Sequence, residues 1–198
     1  MHSLLKRKTG YAATRIETER LVLRPLRVDD AETFFEWYRD PETMRFMGGV
    51  YPGTVADMRA RLALRIAEHE SAGFGLLATE LRATGELIGR CGQIRQIIEN
   101  ADEENKDEED KEEIEVGYLI ARPHWGRGYA TEAARALLDD GFARFEVPRL
   151  ISLIHPENIA SQRVAGHNGL RHEGDVRVLG MTISPIRLYA LATPPKTA

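Results

Sequence analysis

The spacing of hydrophobic and polar residues changes repeatedly along the chain, and each change predicts a different element. Period-two alternation and short apolar runs predict strands, while apolar residues at i, i+3, i+4 and i+7 predict helices. The predicted strands span 16–26, 74–79, 87–98, 114–120, 150–154, 170–178 and 181–192. Four helices are predicted. The first begins after Asp29-Asp30 and ends at Tyr38, the second spans 54–70, the third begins at the glycines after Trp125 and ends at Phe145, and the fourth spans 160–167. This order predicts a mixed α/β domain with an antiparallel first part and one βαβ-like crossover.

A glycine turn stands between an apolar strand and an apolar-faced helix. The run is Trp125-Gly126-Arg127-Gly128-Tyr129-Ala130-Thr131-Glu132-Ala133. Unpaired N–H groups and the positive end of the helix dipole meet at such a turn, so it predicts a phosphate-binding site. An ordinary strand-to-helix turn is the alternative, because short glycine motifs are weak evidence alone.

A dinucleotide site of the Rossmann type is a competing interpretation of the same turn. Glu146 lies at about the spacing of a ribose ligand, roughly 20 residues on. However, Thr131 occupies the position of the third glycine, and the preceding half of the chain has an antiparallel pattern. We therefore reject this interpretation.

Composition indicates one globular domain. The chain has 198 residues, of which 42% are hydrophobic and 29% charged, which is enough apolar material for a sizeable core. Residues 1–10 contain no apolar stretch typical of a signal peptide, and no segment approaches the ~20 apolar residues of a membrane span. We expect a soluble, cytoplasmic protein that does not act at a membrane.

The net charge of −4 conceals two unlike parts. Residues 99–115 contain eleven acidic and two basic residues, which gives −9 and leaves +5 for the rest. A mildly basic body suits an anionic cofactor and is too weakly basic for a nucleic acid. The run 102–110 is interpreted as a solvated loop or as a negative lip that attracts cationic substrates, and the two are compatible.

Several other chemistries have no support in the sequence. Cys91 is the single cysteine, so there is no disulfide framework, and its apolar neighbours favour a structural strand residue. The histidines lack HExxH or similar spacing, so no metal site is predicted. No G-x-S-x-G elbow is present, which argues against a serine hydrolase.

Five segments together resemble the GCN5-related N-acetyltransferase (GNAT) family, in the branch of the ribosomal-protein-alanine N-acetyltransferases. The segments are 16–26, Asp29-Asp30-Ala31, Glu115-Val116-Gly117-Tyr118-Leu119-Ile120, the 125–133 run and 158–170. The resemblance implies a single mixed, mostly antiparallel twisted sheet with a splayed parallel strand pair and flanking helices. It implies one N-acetyltransferase domain over 15–194, after an N-terminal extension at 1–14 and interrupted by an acidic insert at 99–113.

The resemblance also implies that the cosubstrate is acetyl-CoA. In this family the pantetheine lies between two splayed parallel strands, here 114–120 and 150–154, and the pyrophosphate lies on the glycine turn. Trp125 departs from the family's usual Gln or Arg, which matters little because the turn binds through backbone N–H groups. The candidate cofactor-binding residues are Leu119, Ile120, Arg122, Gly126, Arg127, Gly128, Tyr129, Ala130, Thr131 and Asn158.

Two residues are the candidate catalytic pair. Glu115 is the candidate water-relayed base, with His124 and His155 in reserve, and Ser161 is the candidate acid for the leaving thiolate. Many relatives carry the acid as a tyrosine further along this helix, where this chain has Ala165. Backbone N–H groups near Leu119 and Ile120 are candidates to stabilise the oxyanion.

The expected reaction is direct attack by a primary amine in a ternary complex. At pH 7, deprotonating a lysine costs about 4.6 kcal/mol and an α-amine about 1.1 kcal/mol, so a chain terminus needs little help. The branch suggests a protein N-terminal amine, while the acidic insert leaves polyamines, aminoglycosides or a basic peptide open. Residues 37–51, with Phe34, are expected to shape the acceptor cleft.

A non-catalytic acyl-CoA-binding or regulatory module is the alternative function, and its motivation is Ala165. The sequence leaves both a monomer and a homodimer open.

Overall fold

The computed structural model describes residues 15–99, 110–183 and 185–194. The predicted N-terminal extension at 1–14 and most of the predicted acidic insert, residues 100–109, lie outside these ranges. The strands are β1 Ile16–Glu17, β2 Leu21–Pro25, β3 Leu76–Leu81, β4 Leu87–Ile98, β5 Lys111–Ile120, β6 Arg149–Ile154, β7 Arg171–Val176 and β8 Ile186–Ala192. The helices are α1 Ala31–Arg39, α2 Pro41–Met44, α3 Val55–Ala72, α4 Tyr129–Arg144 and α5 Ile159–His167.

The described strands form one mixed sheet in the order β1-β2-β3-β4-β5-β6-β8-β7. Every neighbouring pair is antiparallel except β5 and β6, which are parallel. The parallel pair is joined in register only at Glu115 and Ile151, and the Ser152 hydroxyl bridges the strands by donating to the Val116 carbonyl at 2.8 Å. Beyond that bridge the two strands separate. This confirms the predicted sheet with its splayed parallel pair.

Helices cover both faces of the sheet. Under α4, the apolar face predicted from its spacing packs on β2, β5 and β6, and Leu137 and Leu138 are each 1% exposed. Under α1 and α3, Phe34, Met58 and Leu62 form a second buried cluster. Burying each of these large side chains stabilises the fold by roughly 1.5–3 kcal/mol, so the sheet is held rigidly between the two layers.

Two predicted strand boundaries were wrong, and one short helix was not predicted. The strand at 16–26 is broken at residues 18–20, where the Arg20 amide donates to the Glu132 side chain instead of a strand partner. The last strand begins at Ile186, not 181. The first helix ends at Arg39, within one residue of its predicted end, and a short helix that the pattern did not predict, α2, follows because the Asp40 carboxylate accepts from two of its amides and proline occupies its first turn.

The strand that follows the acidic run begins earlier than predicted. Strand β5 starts at Lys111, so Glu112 and Glu113 belong to the sheet. Glu113 is buried and accepts from the Arg149 guanidinium at 2.5 Å. The acidic residues at 112–113 are therefore structural. None of the helices in the described ranges has the length and apolar character needed to cross a bilayer.

Candidate active site

The glycine turn presents a row of free backbone amides. Gly126 and Gly128 have φ values of +73° and +80°, in the left-handed region that favours glycine, and Gly128 is the N-cap of α4. The first helical hydrogen bond runs from the Glu132 amide to the Gly128 carbonyl at 3.0 Å. Within the described part of the chain, no acceptor meets the amides of residues 126–131. Free amide donors at a helix N-terminus are a favourable place for an anion to bind.

A salt bridge from the β1–β2 turn holds this glycine turn in place. The Glu132 carboxylate accepts from the Thr18 hydroxyl at 2.6 Å, the Arg20 amide at 2.8 Å and the Arg20 guanidinium at 2.6 Å. Arg20 also donates to the Arg127 carbonyl at 2.9 Å. Burial opposes ionisation of Glu132, but these hydrogen bonds prevail and lower its pKa. Because Glu132 is ionised and fully engaged, it positions the turn and is not available to a ligand.

A cavity of about 550 Å³, here called the glycine-turn cavity, opens beside these amides. It lies between the end of β5, the start of α4 and one side of α5. Of the predicted cofactor-binding residues, it is lined by Leu119, Ile120, Gly126, Gly128, Tyr129, Ala130, Thr131 and Asn158. Arg163 of α5, which the sequence analysis missed, also lines it and is exposed.

The two arginines predicted to contact phosphate do not line this cavity. Arg122 is exposed, with its guanidinium 4.0 Å from the Asp40 carboxylate. Arg127 lines a separate cavity beside Trp37, and only its backbone belongs to the turn. The reason is that both flank the turn on its outer side, whereas Arg163 comes from the facing helix.

The separation of β5 from β6 leaves backbone amides free along one strand edge. The Ala121 amide donates to the Ile88 carbonyl at 2.9 Å, so the antiparallel ladder with β4 uses the odd-numbered residues of β5. The amides of Tyr118 and Ile120 therefore face the gap, while that of Leu119 faces β4. The Ile120 carbonyl, on the gap side, accepts from the Trp125 indole at 2.6 Å. The predicted N–H donor role thus fits Ile120 and Tyr118, and does not fit Leu119.

A second cavity of about 450 Å³, the Glu115 cavity, lies on the other side of the splayed strands. The Glu115 carboxylate lines it and accepts from the Gln96 side chain at 2.6 Å and from the Leu153 amide. Burial raises the pKa of this carboxyl above its ordinary value, despite those two hydrogen bonds. A carboxyl whose pKa is raised toward neutrality is better matched to proton abstraction at physiological pH.

The two cavities meet at a junction. Tyr118, Asn158 and Ser161 line both, together with Phe46 and Met47 from the 37–51 segment. The Asn158 side chain caps α5, with its oxygen accepting from the Ser161 amide at 3.1 Å. The Tyr118 hydroxyl donates to the Ser161 carbonyl at 3.1 Å, and burial raises the pKa of this phenol.

The Ser161 hydroxyl makes no hydrogen bond to any residue in the described ranges, although it faces both cavities. Ala165 is 2% exposed in the core beneath α4 and lines neither cavity. The alanine itself contributes no polar group to either cavity.

The two reserve histidines lie on different sides of the junction. His124 lines the glycine-turn cavity, with its Nε2 atom 3.4 Å from the Glu86 carboxylate. His155 lines the Glu115 cavity, where its ring packs on Phe46 with centroids 5.1 Å apart. Across the described ranges, no three histidine, cysteine or acidic side chains are grouped closely enough to hold a metal ion.

Tyr118 and Arg90 are cavity residues that the sequence analysis missed. Tyr118 lies within the quoted motif of β5, but alternation gives the face of a strand and does not reveal where its neighbour departs. Arg90 lines the Glu115 cavity from β4. The sequence feature that could have indicated Arg90 is its charge, in an otherwise apolar strand segment from Leu87 to Cys91.

Comparison with known proteins agrees with this architecture. The family model of the acetyltransferase (GNAT) domain matches residues 20–171. The uncharacterized protein YkkB of Bacillus subtilis is 36% identical over 181 residues, which cover 90% of this chain and 95% of YkkB. The uncharacterized N-acetyltransferase p20 of Bacillus licheniformis is 31% identical over 81% of this chain and 84% of its own length. The crystal structure of an acetyltransferase from Agrobacterium tumefaciens superposes with a TM-score of 0.68 at 28% identity, covering 94% of this chain and 98% of that one. The chain belongs to the GNAT family and is an acetyl-CoA-dependent N-acetyltransferase.

Proposed function

We propose that this enzyme acetylates a primary amine by direct transfer, with acetyl-CoA in the glycine-turn cavity and the amine in the Glu115 cavity. The observation that carries the proposal is the junction: Tyr118, Asn158 and Ser161 border both cavities, so two bound substrates meet there. Acetyl-CoA supplies the acetyl group as an activated thioester. No covalent enzyme intermediate is required, because the amine itself is the nucleophile.

The residues present fit the diphosphate and pantetheine of a CoA thioester. The free amides of residues 126–131 match a diphosphate, and the nearby Arg163 guanidinium adds positive charge. The amides of Tyr118 and Ile120 line the gap where charge develops on the thioester oxygen, a contribution worth roughly 2.7–4 kcal/mol per donor. The amide nitrogen of Asn158 remains available for the pantetheine arm, because only its oxygen caps α5.

Glu115 and Ser161 are the proposed proton-transfer groups. Glu115 accepts a proton from the amine, through water, and its buried position favours that proton. Ser161 donates from a hydroxyl that no described residue engages, and it borders both cavities. The Tyr118 hydroxyl, held on the Ser161 carbonyl, positions the first turn of α5 beside this pair.

The proposed acceptor is an α-amine, as at a peptide N-terminus. At pH 7 an α-amine loses its proton for about 1.1 kcal/mol, against about 4.6 kcal/mol for a lysine, so one buried carboxyl at the cavity wall and a water suffice. Among the described residues that line the Glu115 cavity, Glu115 is the sole carboxylate, beside Arg61 and Arg90. This composition disfavours polyamines and aminoglycosides, which require several carboxylates.

The test is thiol release from acetyl-CoA across a panel of N-terminal peptides, lysine-side-chain peptides, polyamines and aminoglycosides. Ionic strength is matched, since salt weakens any attraction from the acidic segment. We expect turnover to be highest with a peptide α-amine. Acetyl-CoA binding without turnover on any amine would contradict the proposal, and preferred turnover of a polyamine would contradict the acceptor assignment.

A further inference from the structure

A buried arginine without a carboxylate partner lies in the Glu115 cavity. Three arginines are buried in the described part of the chain: Arg24, Arg90 and Arg144. Arg24 pairs with Asp30 at 2.7 Å and with Glu80 at 2.6 Å, and Arg144 pairs with Asp140 at 3.3 Å. Arg90, 8% exposed, has no such partner among the described residues. Buried charges in proteins are normally paired. The Arg90 charge acts on the Glu115 carboxylate across the cavity but forms no direct ion pair, which leaves room for a second carboxylate.

The Arg90 guanidinium is fixed in orientation, with its outer nitrogens free. Its Nε atom donates to the Tyr38 hydroxyl at 2.6 Å, and its carbon lies 5.8 Å from the centre of the Tyr38 ring. Its two terminal nitrogens donate to no acceptor in the described ranges. A planar guanidinium that is held through Nε can donate from its two terminal nitrogens to both oxygens of one carboxylate.

A second unpaired arginine stands beside the first. Arg61 of α3 lines the same cavity, and its guanidinium carbon lies 6.0 Å from the Tyr38 ring centre and 5.8 Å from that of Tyr51. It forms no ion pair with any described carboxylate, whereas Arg65, one turn along α3, is paired with Glu68 at 2.7 Å. Two cations flanking one tyrosine make this end of the cavity electropositive.

The distance between Arg90 and Glu115 limits which substrates can contact both residues. Arg90 is opposite Leu119 and Glu115 is opposite Ile94 in the β4–β5 ladder, a separation of four residues or about 14 Å along the strands. Both long side chains lie on the same face and shorten that gap. A substrate whose carboxylate is several bonds from its reacting amine can therefore place the carboxylate at Arg90 and the amine at Glu115.

There is also room for the rest of such a substrate. A further cavity of about 750 Å³ shares Arg61, Arg90 and Gln96 with the Glu115 cavity and continues between α3 and β4. An extended chain that enters past Arg90 therefore has a place to lie.

We infer that Arg90, assisted by Arg61, binds a carboxylate of the acceptor, so that the preferred substrate is a peptide with an acidic residue next to its N-terminal amine. This inference rests on the proposed function and specifies its acceptor. The carboxylate supplies the direct ion-pair partner that Arg90 lacks, and its attachment to the amine directs that amine toward Glu115.

The test compares two peptides that differ in one charge: Ala-Asp-Ala-Gly and Ala-Asn-Ala-Gly, both C-terminally amidated. Free alanine and alaninamide form a second pair, which distinguishes a side-chain carboxylate from the α-carboxylate of an amino acid. For the wild-type enzyme we expect kcat/KM for the Asp peptide to exceed that for the Asn peptide roughly 10- to 100-fold, the usual range for a charged hydrogen-bonded pair. The alanine pair should differ less.

Variants assign the preference to named residues. Arg90→Met should bring the kcat/KM ratio of the Asp peptide to the Asn peptide close to one, because Met fills the space without charge, and the ratio is taken within the same variant so that any general loss of activity cancels. Arg61→Met should reduce the preference in part, and Arg90→Lys should retain only part of it, since an ammonium lacks the fork. Arg59→Met is the matched control and should leave the preference intact, because Arg59 also lies on α3, pairs with Glu32 and lines none of these cavities.

The outcomes separate this inference from the function on which it rests. Equal use of the two peptides by the wild-type enzyme, or a preference that survives in Arg90→Met, would overturn the inference while leaving amine acetylation in place. If neither peptide is acetylated, the proposed function fails, and calorimetry with the same peptides in the presence of CoA decides the inference. Tighter binding of the Asp peptide that disappears in Arg90→Met would support it, and equal binding would overturn it.

Discussion

Replacing Glu115 by Gln tests the proposed base with little disturbance of shape. In the wild-type protein the Glu115 carboxylate accepts from the Gln96 side chain and from the Leu153 amide. A glutamine can keep both contacts if the Gln96 amide turns to present its oxygen, so the fold should persist. At pH 7 we expect kcat/KM to fall roughly 10²- to 10⁴-fold, the contribution of a positioned general base.

The pH dependence makes this prediction specific. Since burial raises the pKa of Glu115, the wild-type rate should fall with acidification along a limb that lies above the ordinary range of a glutamate. In Glu115→Gln the part of that limb due to the carboxyl should vanish, and the remaining rate should rise only toward pH 9, where the amine loses its proton unaided.

The raised pKa of Glu115 also predicts how the free energy of unfolding depends on pH. A carboxyl with a raised folded pKa contributes fully below its unfolded pKa, and the contribution is lost as pH rises through the folded value. Glu115→Gln should therefore match the wild type in unfolding free energy near pH 4 and exceed it at pH 8, measured by urea denaturation.

Glu113→Gln is the matched control for this prediction. Glu113 lies on the same face of β5, is buried and pairs with Arg149, but lines neither of the two cavities that meet at the junction. Its loss should lower stability and leave the pH–rate profile unchanged. Glu115→Gln with wild-type kcat/KM at pH 7, or with an intact acidic limb, would refute the assignment of the base.

Three further predictions concern the acid, the glycine turn and the cysteine. Ser161→Ala should lower kcat roughly 10²-fold with unchanged acetyl-CoA affinity in calorimetry, and an unchanged kcat would exclude this hydroxyl as the acid. Gly128→Ala should weaken acetyl-CoA binding roughly 5- to 30-fold, because a φ of +80° costs an L-residue about 1–2 kcal/mol, and a turn that relaxes to avoid this cost must be restored when the diphosphate binds to its amides. Gly85→Ala, with φ +72° in the β3–β4 turn outside the glycine-turn cavity, should lower stability alone. The Cys91 thiol, with a pKa raised by burial to about 12, should resist a disulfide reagent at pH 8 until the protein unfolds, and rapid labelling of native protein would contradict its burial.

Local patterns predicted the parts of the site that depend on nearest neighbours in sequence. The glycine turn and the buried face of α4, from Ala133 to Leu138, follow from residue type and helical spacing alone. The residues on either side of the β5–β6 gap were also assigned to the correct strands. These features form from contacts within a few residues, and a single sequence carries that information.

Long-range contacts explain what the sequence did not reveal. The break at residues 18–20 exists because Arg20 bonds Glu132, more than a hundred positions away. Arg127 adjoins the turn in sequence but lies outside the glycine-turn cavity, while Arg163 reaches it from a separate helix. No local pattern distinguishes these two arginines, because only the packing of α5 against α4 decides which one faces the cavity.

Residue-resolved amide hydrogen exchange, with and without CoA, tests the central claim most directly. In the free protein the amides of residues 126–131 have no acceptor in the described part of the chain, so they should exchange at nearly the rate of an unstructured peptide. With saturating CoA their exchange should slow at least about tenfold, because the diphosphate accepts from them. Unchanged exchange at these six positions, with protection appearing elsewhere, would contradict the claim that the turn binds the cosubstrate.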